Sequence, residues 1–141
     1  MTRVRRVVSE KELKRAFSIR IRVFVREQGV PAAIELDEDD RRATHLLASV
    51  GGKPVGTARL VITGAKAKIG RMAVLKSYRR KGVGKALLKT AVELARKRRA
   101  KLIYLHAQVS VVGFYEKMRF HPVGRVFMEA GIPHRKMTLG R

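Results

Sequence analysis

The sequence predicts an α+β fold, a mainly antiparallel mixed sheet flanked by helices, in a single domain over residues 1–141. Three observations carry this expectation. The β-rich runs HLLASV, VGTARLVIT and AKIGRMAVL follow one another with glycine turns between them. A strongly amphipathic stretch starting near Val83 then reads as a long helix, and further β-rich runs close the chain. A length of 141 residues suits one domain with a proper core.

The elements follow in order. VRRVV, residues 4–8, is a short strand candidate, stopped by Ser9, where S-E-K-E offers a capping box. In that box Ser9 accepts from the amide of Glu12, and Glu12 reaches back to the amide of Ser9. The helix that follows places Leu13, Phe17, Ile21 and Phe24 on one face and runs to about Glu27, before Gly29 and Pro31. Residues 32–43, AAIELDEDDRRA, lack a clear period and read as a loop or a short second helix. Three antiparallel strands come next, turning at Gly51-Gly52 and at Gly64. In the long helix Val83, Leu87, Leu88, Ala91, Leu94 and Ala95 repeat at helical spacing, opposite Lys85, Lys89, Glu93, Lys97 and Arg98. KLIYLHA reads as a buried strand and VGFYEKM as a short helix. VGRVFME and HRKMTL form a last hairpin across residues 130–133.

Composition narrows the function. Cysteine is absent, which excludes disulfides, thiolate metal sites and a cysteine nucleophile. No continuous apolar run suits a signal peptide or a membrane span, so a soluble cytoplasmic protein is the default expectation. The net charge of +22 draws polyanions: nucleic acid, anionic lipid or a polyphosphate ligand. Five of the eleven acids fall in ELDEDD, residues 35–40, which reads either as a solvated loop or as a site attracting a cationic substrate.

RRKGVGK, residues 79–85, stands between a strand and the long helix. Glycines let a backbone approach an anion, and the first amides of a helix lack internal partners. A Walker loop is excluded, because its first glycine is replaced by Arg79 and its hydroxyl by Ala86. The dinucleotide fingerprint fails as well: its third glycine is Leu87, and the sequence supports no strong βαβ unit here. From spacing alone an anion loop and an ordinary glycine turn both remain.

The stretch IGRMAVLKSYRRKGVGKALL, residues 69–88, resembles the acyl-CoA-binding motif of the GNAT superfamily of acetyl-CoA-dependent N-acyltransferases, with Arg79, Gly82 and Gly84 in the R-x-x-G-x-G positions. LHAQVSVVGFYEKMRF, residues 105–120, is similar to that superfamily's later strand and helix, matching at Tyr115, Glu116, Lys117 and Phe120. RVFVREQGVP, ATHLLA, GRMAV, LHAQ and FMEAGIPHRKM extend the resemblance to a small bacterial subgroup, the ElaA-like proteins. Two positions depart from the pattern. Gln108 stands where Asn is common, and Arg119 replaces the glycine before the final aromatic.

The resemblance implies the roles that follow. Met72, Ala73 and Val74 would pair with pantetheine through their backbone. Arg79, Arg80, Lys81, Gly82, Val83 and Gly84 would carry the pyrophosphate, and Gln108, Phe114 and Tyr115 would complete the cofactor wall. Tyr115 is the matched candidate for protonating the leaving sulfur, with packing against pantetheine as its structural alternative. For the base that takes the amine's proton, Glu27 and His134 are favoured over His45, His106 and Glu129. The four histidines show no metal-ligand spacing, and the chemistry needs no metal.

The implied function is transfer of the acetyl group of acetyl-CoA to a primary amine in one ternary complex, with a homodimer as a sensible family expectation. One alternative is acyl-CoA binding without transfer. Another is a nucleic-acid-binding module, suggested by the charge and by RKRRAK at 96–101, a run that also suits a solvated helix C-terminus.

Overall fold

The computed structural model describes residues 1–140. Its strands are β1 (Thr2–Arg6), β2 (Thr44–Val50), β3 (Lys53–Thr63), β4 (Lys66–Val74), β5 (Leu102–Gln108), β6 (Phe120–Glu129) and β7 (Ile132–Leu139). The helices are α1 (Glu10–Arg20), which continues as π-helix over Ile21–Glu27, then α2 (Ala32–Glu35), α3 (Val83–Lys97) and α4 (Val112–Lys117). The seven strands form one sheet in the order β1-β2-β3-β4-β5-β7-β6, antiparallel except where β4 meets β5.

That exception makes the sheet mixed, as expected, and corrects the reading that no strong βαβ unit opens at the glycine loop. β4, α3 and β5 are a strand–helix–strand unit with parallel strands, pairing Lys66–Ile69 with Leu102–Leu105. The glycine loop failed both nucleotide motifs, yet it opens a crossover of the kind those motifs occupy. Strand direction depends on which strands become neighbours, and local pattern is silent on that.

The sheet is covered on both faces. On one side α3 packs Val83, Leu87, Leu88, Ala91 and Ala95 against Leu60, Ile69, Leu105 and Met137 of the sheet. The approach is close at Gly56, where a Cβ would lie 3.0 Å from Val83 Cγ1 and 3.1 Å from Leu87 Cδ1. On the other side α1 buries Ala16, Ile19 and Val23 against Leu47 and Ala73. The buried stripe of α1 is therefore offset from the expected Leu13, Phe17, Ile21 and Phe24, which are only half-buried. Its line runs through Glu12, Ala16, Ile19, Arg20 and Val23 and includes two charged residues.

The first strand lies two residues earlier than expected. Val8 leaves the sheet because its amide donates to Glu12 Oε1 at 3.2 Å. The cap on α1 forms from one side as expected, the Glu12 amide donating to Ser9 Oγ at 3.1 Å; the return contact of Glu12 goes to Val8 instead of the Ser9 amide. At the other departure from pattern, Arg119 holds the left-handed φ of 71° that a glycine would take, so the turn before Phe120 survives the substitution at a cost of about 1 kcal/mol. No helix among the described residues is long and apolar enough to cross a membrane.

Candidate active site

A bulge opens the site. Thr57 pairs with Ala73 but Arg59 pairs with Gly70, so Ala58 faces two residues of β4, Arg71 and Met72, and Arg71 takes a φ of 48°. Pairing of β4 with β5 stops at Ile69 and Leu105. Beyond that point the two strands part, and the edge of β4 from residue 70 to 74 faces a cleft of about 910 Å³. Met72, Ala73 and Val74 line it, as do Gln108, Phe114 and Tyr115 on the opposite wall.

The glycine loop closes one end of the cleft. Arg80 and Gly82 take left-handed φ values of 63° and 83°, and Gly82 is the N-cap of α3 without any side-chain cap. The first-turn amides of α3 thus have no carbonyl partner inside the helix, and they sit at the positive end of a 15-residue dipole. Arg79, Arg80, Gly82 and Gly84 line the cleft. A Cβ on Gly84 would stand 3.5 Å from Phe114 Cζ. Two other residues of the loop point elsewhere: Val83 is in the core, and Lys81 Nζ lies over the Tyr78 ring at 5.7 Å.

Two contacts tie the end of the π-helix to this wall. Arg79 donates to Glu27 Oε1 at 2.7 Å and through Nε to the Val74 carbonyl at 2.9 Å. The hydrogen bond from Arg79 holds the Glu27 carboxyl below its usual range against the opposing effect of burial, and the charges of Arg79 and Lys76 add to the lowering. Gln108 Nε2 donates to Gln28 Oε1 at 2.8 Å across the cleft. Eighty residues separate these two glutamines, and Gln28 had no local signal that could have found it.

ELDEDD is only in part a solvated loop: Glu38 is exposed and Asp39 half-exposed, whereas Glu35, Asp37 and Asp40 are engaged by arginines. Arg20, 1% exposed at its side chain, donates to Glu35 at 2.8 Å and to Asp40 at 2.7 Å. Arg59 donates to Asp37 at 2.6 Å and Asp40 at 3.0 Å, while Arg71 reaches Asp37 at 3.2 Å and the Glu35 carbonyl at 3.1 Å. Three acids are matched by three arginines, and the network stitches α2 to α1 and to the bulge. Five acids so close together in a basic chain were a sign of nearby counterions, but the arginines that engage Glu35, Asp37 and Asp40 lie 15 to 36 residues away.

Burial alone would raise the Asp40 carboxyl, but the hydrogen bonds and charge of Arg20, the Asp37 amide and Arg59 outweigh it and hold the group at about 2. Glu35 goes the other way, because burial outweighs Arg20 and Arg71 and pushes it up. Asp40 therefore contributes stability that is complete above about pH 4 and is lost as pH falls toward about 2, on the order of 2 kcal/mol. Asp37 is also lowered and acts in the same direction. Glu35 has the opposite sign, favouring the fold at low pH and losing that share as pH rises through its raised folded value. Glu27 and Glu129 are lowered as well, so the urea midpoint is expected to fall between about pH 4 and pH 2, and to fall less in Asp40→Asn; an equal fall in that variant would contradict the assignment.

Tyr115 packs against Phe114 and Phe120, with ring centroids at 5.0 and 6.2 Å, and burial raises its pKa. At the other end of the cleft stand His106, Glu129 and His134. His45 lies apart from them, its Nε2 3.0 Å from the Asp40 carbonyl and its ring against Phe17.

Residues 6–140 match the family profile described as "Acetyltransferase (GNAT) domain". This chain belongs to the GNAT acetyltransferase family. An uncharacterized N-acetyltransferase of Bacillus subtilis, YjcF, is 39% identical over 130 residues, covering 92% of this chain and 93% of that one. The crystal structure of Escherichia coli ElaA superposes with a TM-score of 0.88 at 29% identity, over 99% of this chain and 100% of ElaA. An acyl-CoA N-acyltransferase from Pseudomonas aeruginosa superposes with a TM-score of 0.85 at 28% identity, over 99% of both chains. Acyl transfer is the family's activity, and acetyl-CoA is the co-substrate typical of the fold.

The residues of this GNAT domain fit that co-substrate. The unpaired edge of β4 can accept an extended chain as a further strand, and the uncapped start of α3 supplies donors for phosphate oxygens.

Proposed function

We propose that this domain moves the acetyl group of acetyl-CoA directly to a primary amine, with donor and acceptor bound together in the cleft. The observation that carries the reading is the parting of β4 from β5 beside the uncapped N-terminus of α3, which joins a strand edge, an anion site and an open acceptor space in one cavity. Acetyl-CoA supplies an activated acyl carbon and a thiolate leaving group.

The chain's residues then have distinct tasks. Backbone groups of Met72–Val74 hold the donor's linear arm and offer a hydrogen bond to the thioester oxygen. The backbone from Arg80 to Gly84 takes the pyrophosphate, with the side chain of Arg80 adding charge; Arg79 and Lys81 join it on leaving Glu27 and the Tyr78 ring. Gln108 and Phe114 complete that wall. Tyr115 stays protonated and donates a hydrogen bond to the departing sulfur. Complete proton transfer from so weak an acid to a thiolate, whose parent thiol has a pKa of about 8.5 in cysteine, is uphill, so hydrogen-bond stabilisation is the role its environment favours.

Of the two bases named from the sequence, Glu27 is weakened by Arg79 and must exchange that partner before it can accept a proton. His134 stands with Glu129 at the polar end of the cleft.

A thermal shift experiment tests donor binding. At a hundredfold excess over Kd, acetyl-CoA should raise Tm by about 8 °C, while duplex DNA at the same moderate salt should not. Absence of a shift with acetyl-CoA would sink the reading. Release of free thiol across an amine panel separates transfer from binding alone.

A further inference from the structure

His106 and His134 lie on neighbouring strands with Glu129 between them and the Phe127 ring against both. Glu129 Oε1 is 3.0 Å from His106 Nδ1, and Oε2 is 3.7 Å from His134 Nε2. Phe127 meets His106 edge-on at 4.9 Å and stacks on His134 at 6.0 Å. Hydrogen bonding to His106, against the opposing effect of burial, holds the Glu129 carboxyl at about 2. An ionised carboxylate only accepts, so the proton of a neutral His106 ring must sit on Nδ1. The lone pair is then on Nε2. That nitrogen makes no hydrogen bond among the described residues and is not sealed from the cleft that His106 lines.

His134 is arranged differently. Its Nδ1 donates to the Ile132 carbonyl at 2.6 Å, and its Nε2 faces the Glu129 carboxylate at 3.7 Å. Both ring nitrogens thus face protein, and the side chain is only 8% exposed. Place in the sheet also favours His106. Leu105 is the last β5 residue paired with β4, so His106 is the first beyond the point where the strands part.

We infer that His106 takes the proton from the attacking amine, and that Glu129 is the positioning residue that keeps its Nε2 free to do so. This rests on the acetyl-transfer reading. The amine enters uncharged. Its nitrogen lone pair forms the C–N bond to the thioester carbonyl carbon, and one N–H proton passes to His106 Nε2. The C–S bond breaks, its electron pair leaving with the sulfur toward the Tyr115 hydroxyl. The products are an amide, a thiolate and an imidazolium at His106, which returns its proton to the thiolate or to water. The other charged or titratable groups around the pair are Lys68 on β4, whose charge also acts on Glu129, Lys136 opposite His106 in register with its Nζ over the Tyr104 ring, and His134.

Two measurements test this. Imidazole 15N spectra of the wild-type protein should show neutral His106 as the Nδ1–H tautomer, giving way to a mixture in Glu129→Gln, where an amide can donate to Nδ1. A wild-type Nε2–H tautomer overturns the proposal. The second is thiol release from acetyl-CoA with a panel holding a polyamine, an amino sugar, an amino-acid amide and a lysine peptide. His106→Ala should lose about 100-fold or more in kcat with KM for acetyl-CoA little changed, and added imidazole should restore part of the rate. Glu129→Gln should lose less than His106→Ala. A wild-type rate in His106→Ala overturns the base assignment alone. Absence of release from every amine with the wild-type protein overturns the acetyl-transfer reading together with it.

Discussion

Arg20→Ala is expected to lower the unfolding free energy by about 3–5 kcal/mol, read from urea denaturation near neutral pH. The loss comes less from the missing attraction than from what stays behind. Glu35 and Asp40 are 3% and 9% exposed at their side chains, and each would lose its closest cation while remaining out of water. Arg59 and Arg71 replace it only in part: Arg59 keeps its bond to Asp40 at 3.0 Å and Arg71 stays 3.4 Å from Glu35 Oε1, but both are shared with Asp37 and neither fills the place of Arg20 between the two carboxylates. Arg20→Lys should recover only part of the stability, since a point charge cannot reproduce a fork that bonds Glu35 through Nε and Asp40 through its terminal nitrogens. A loss below about 1 kcal/mol in Arg20→Ala would mean that water reaches the network and screens it.

Tyr115→Phe is expected to lower kcat for thiol release by about 100-fold while leaving acetyl-CoA affinity almost unchanged. Phenylalanine keeps the ring that packs on Phe114 and Phe120, so the variant removes the hydroxyl and little else. Because burial raises the pKa of Tyr115, its ionisation should not limit the wild-type rate on the alkaline side of neutrality. Equal rates for Tyr115→Phe and wild type would reduce the residue to a packing role. A large loss of acetyl-CoA affinity would assign the hydroxyl to binding.

Much of the fold was legible because its signals are local. The glycines at 51–52 and 64 turn the strands, and the 3.6-residue repeat from Val83 to Ala95 marks the helix that covers the sheet. Ser9 caps α1 as its spacing from Glu12 suggested. The wall of the cleft was legible in a second way, through motifs contiguous in sequence: RRKGVGK forms a turn entering a helix, and FYEKM supplies the aromatic side of the same cleft.

The sequence by itself determined the family, the order of the elements and the loop at the start of α3. Short-range propensity and contiguous motifs specify such features without reference to the rest of the chain. Only the tertiary structure decided that β4 and β5 run parallel and then part. It also decided that Glu35, Asp37 and Asp40 of ELDEDD are engaged by Arg20, Arg59 and Arg71, and that Glu129 meets His106 across 23 residues of sequence. These are pairings between distant segments, and charge pairing carries no period. An arginine bound for solvent and one bound for a buried carboxylate look the same until the sheet and helices bring their partners within hydrogen-bonding distance.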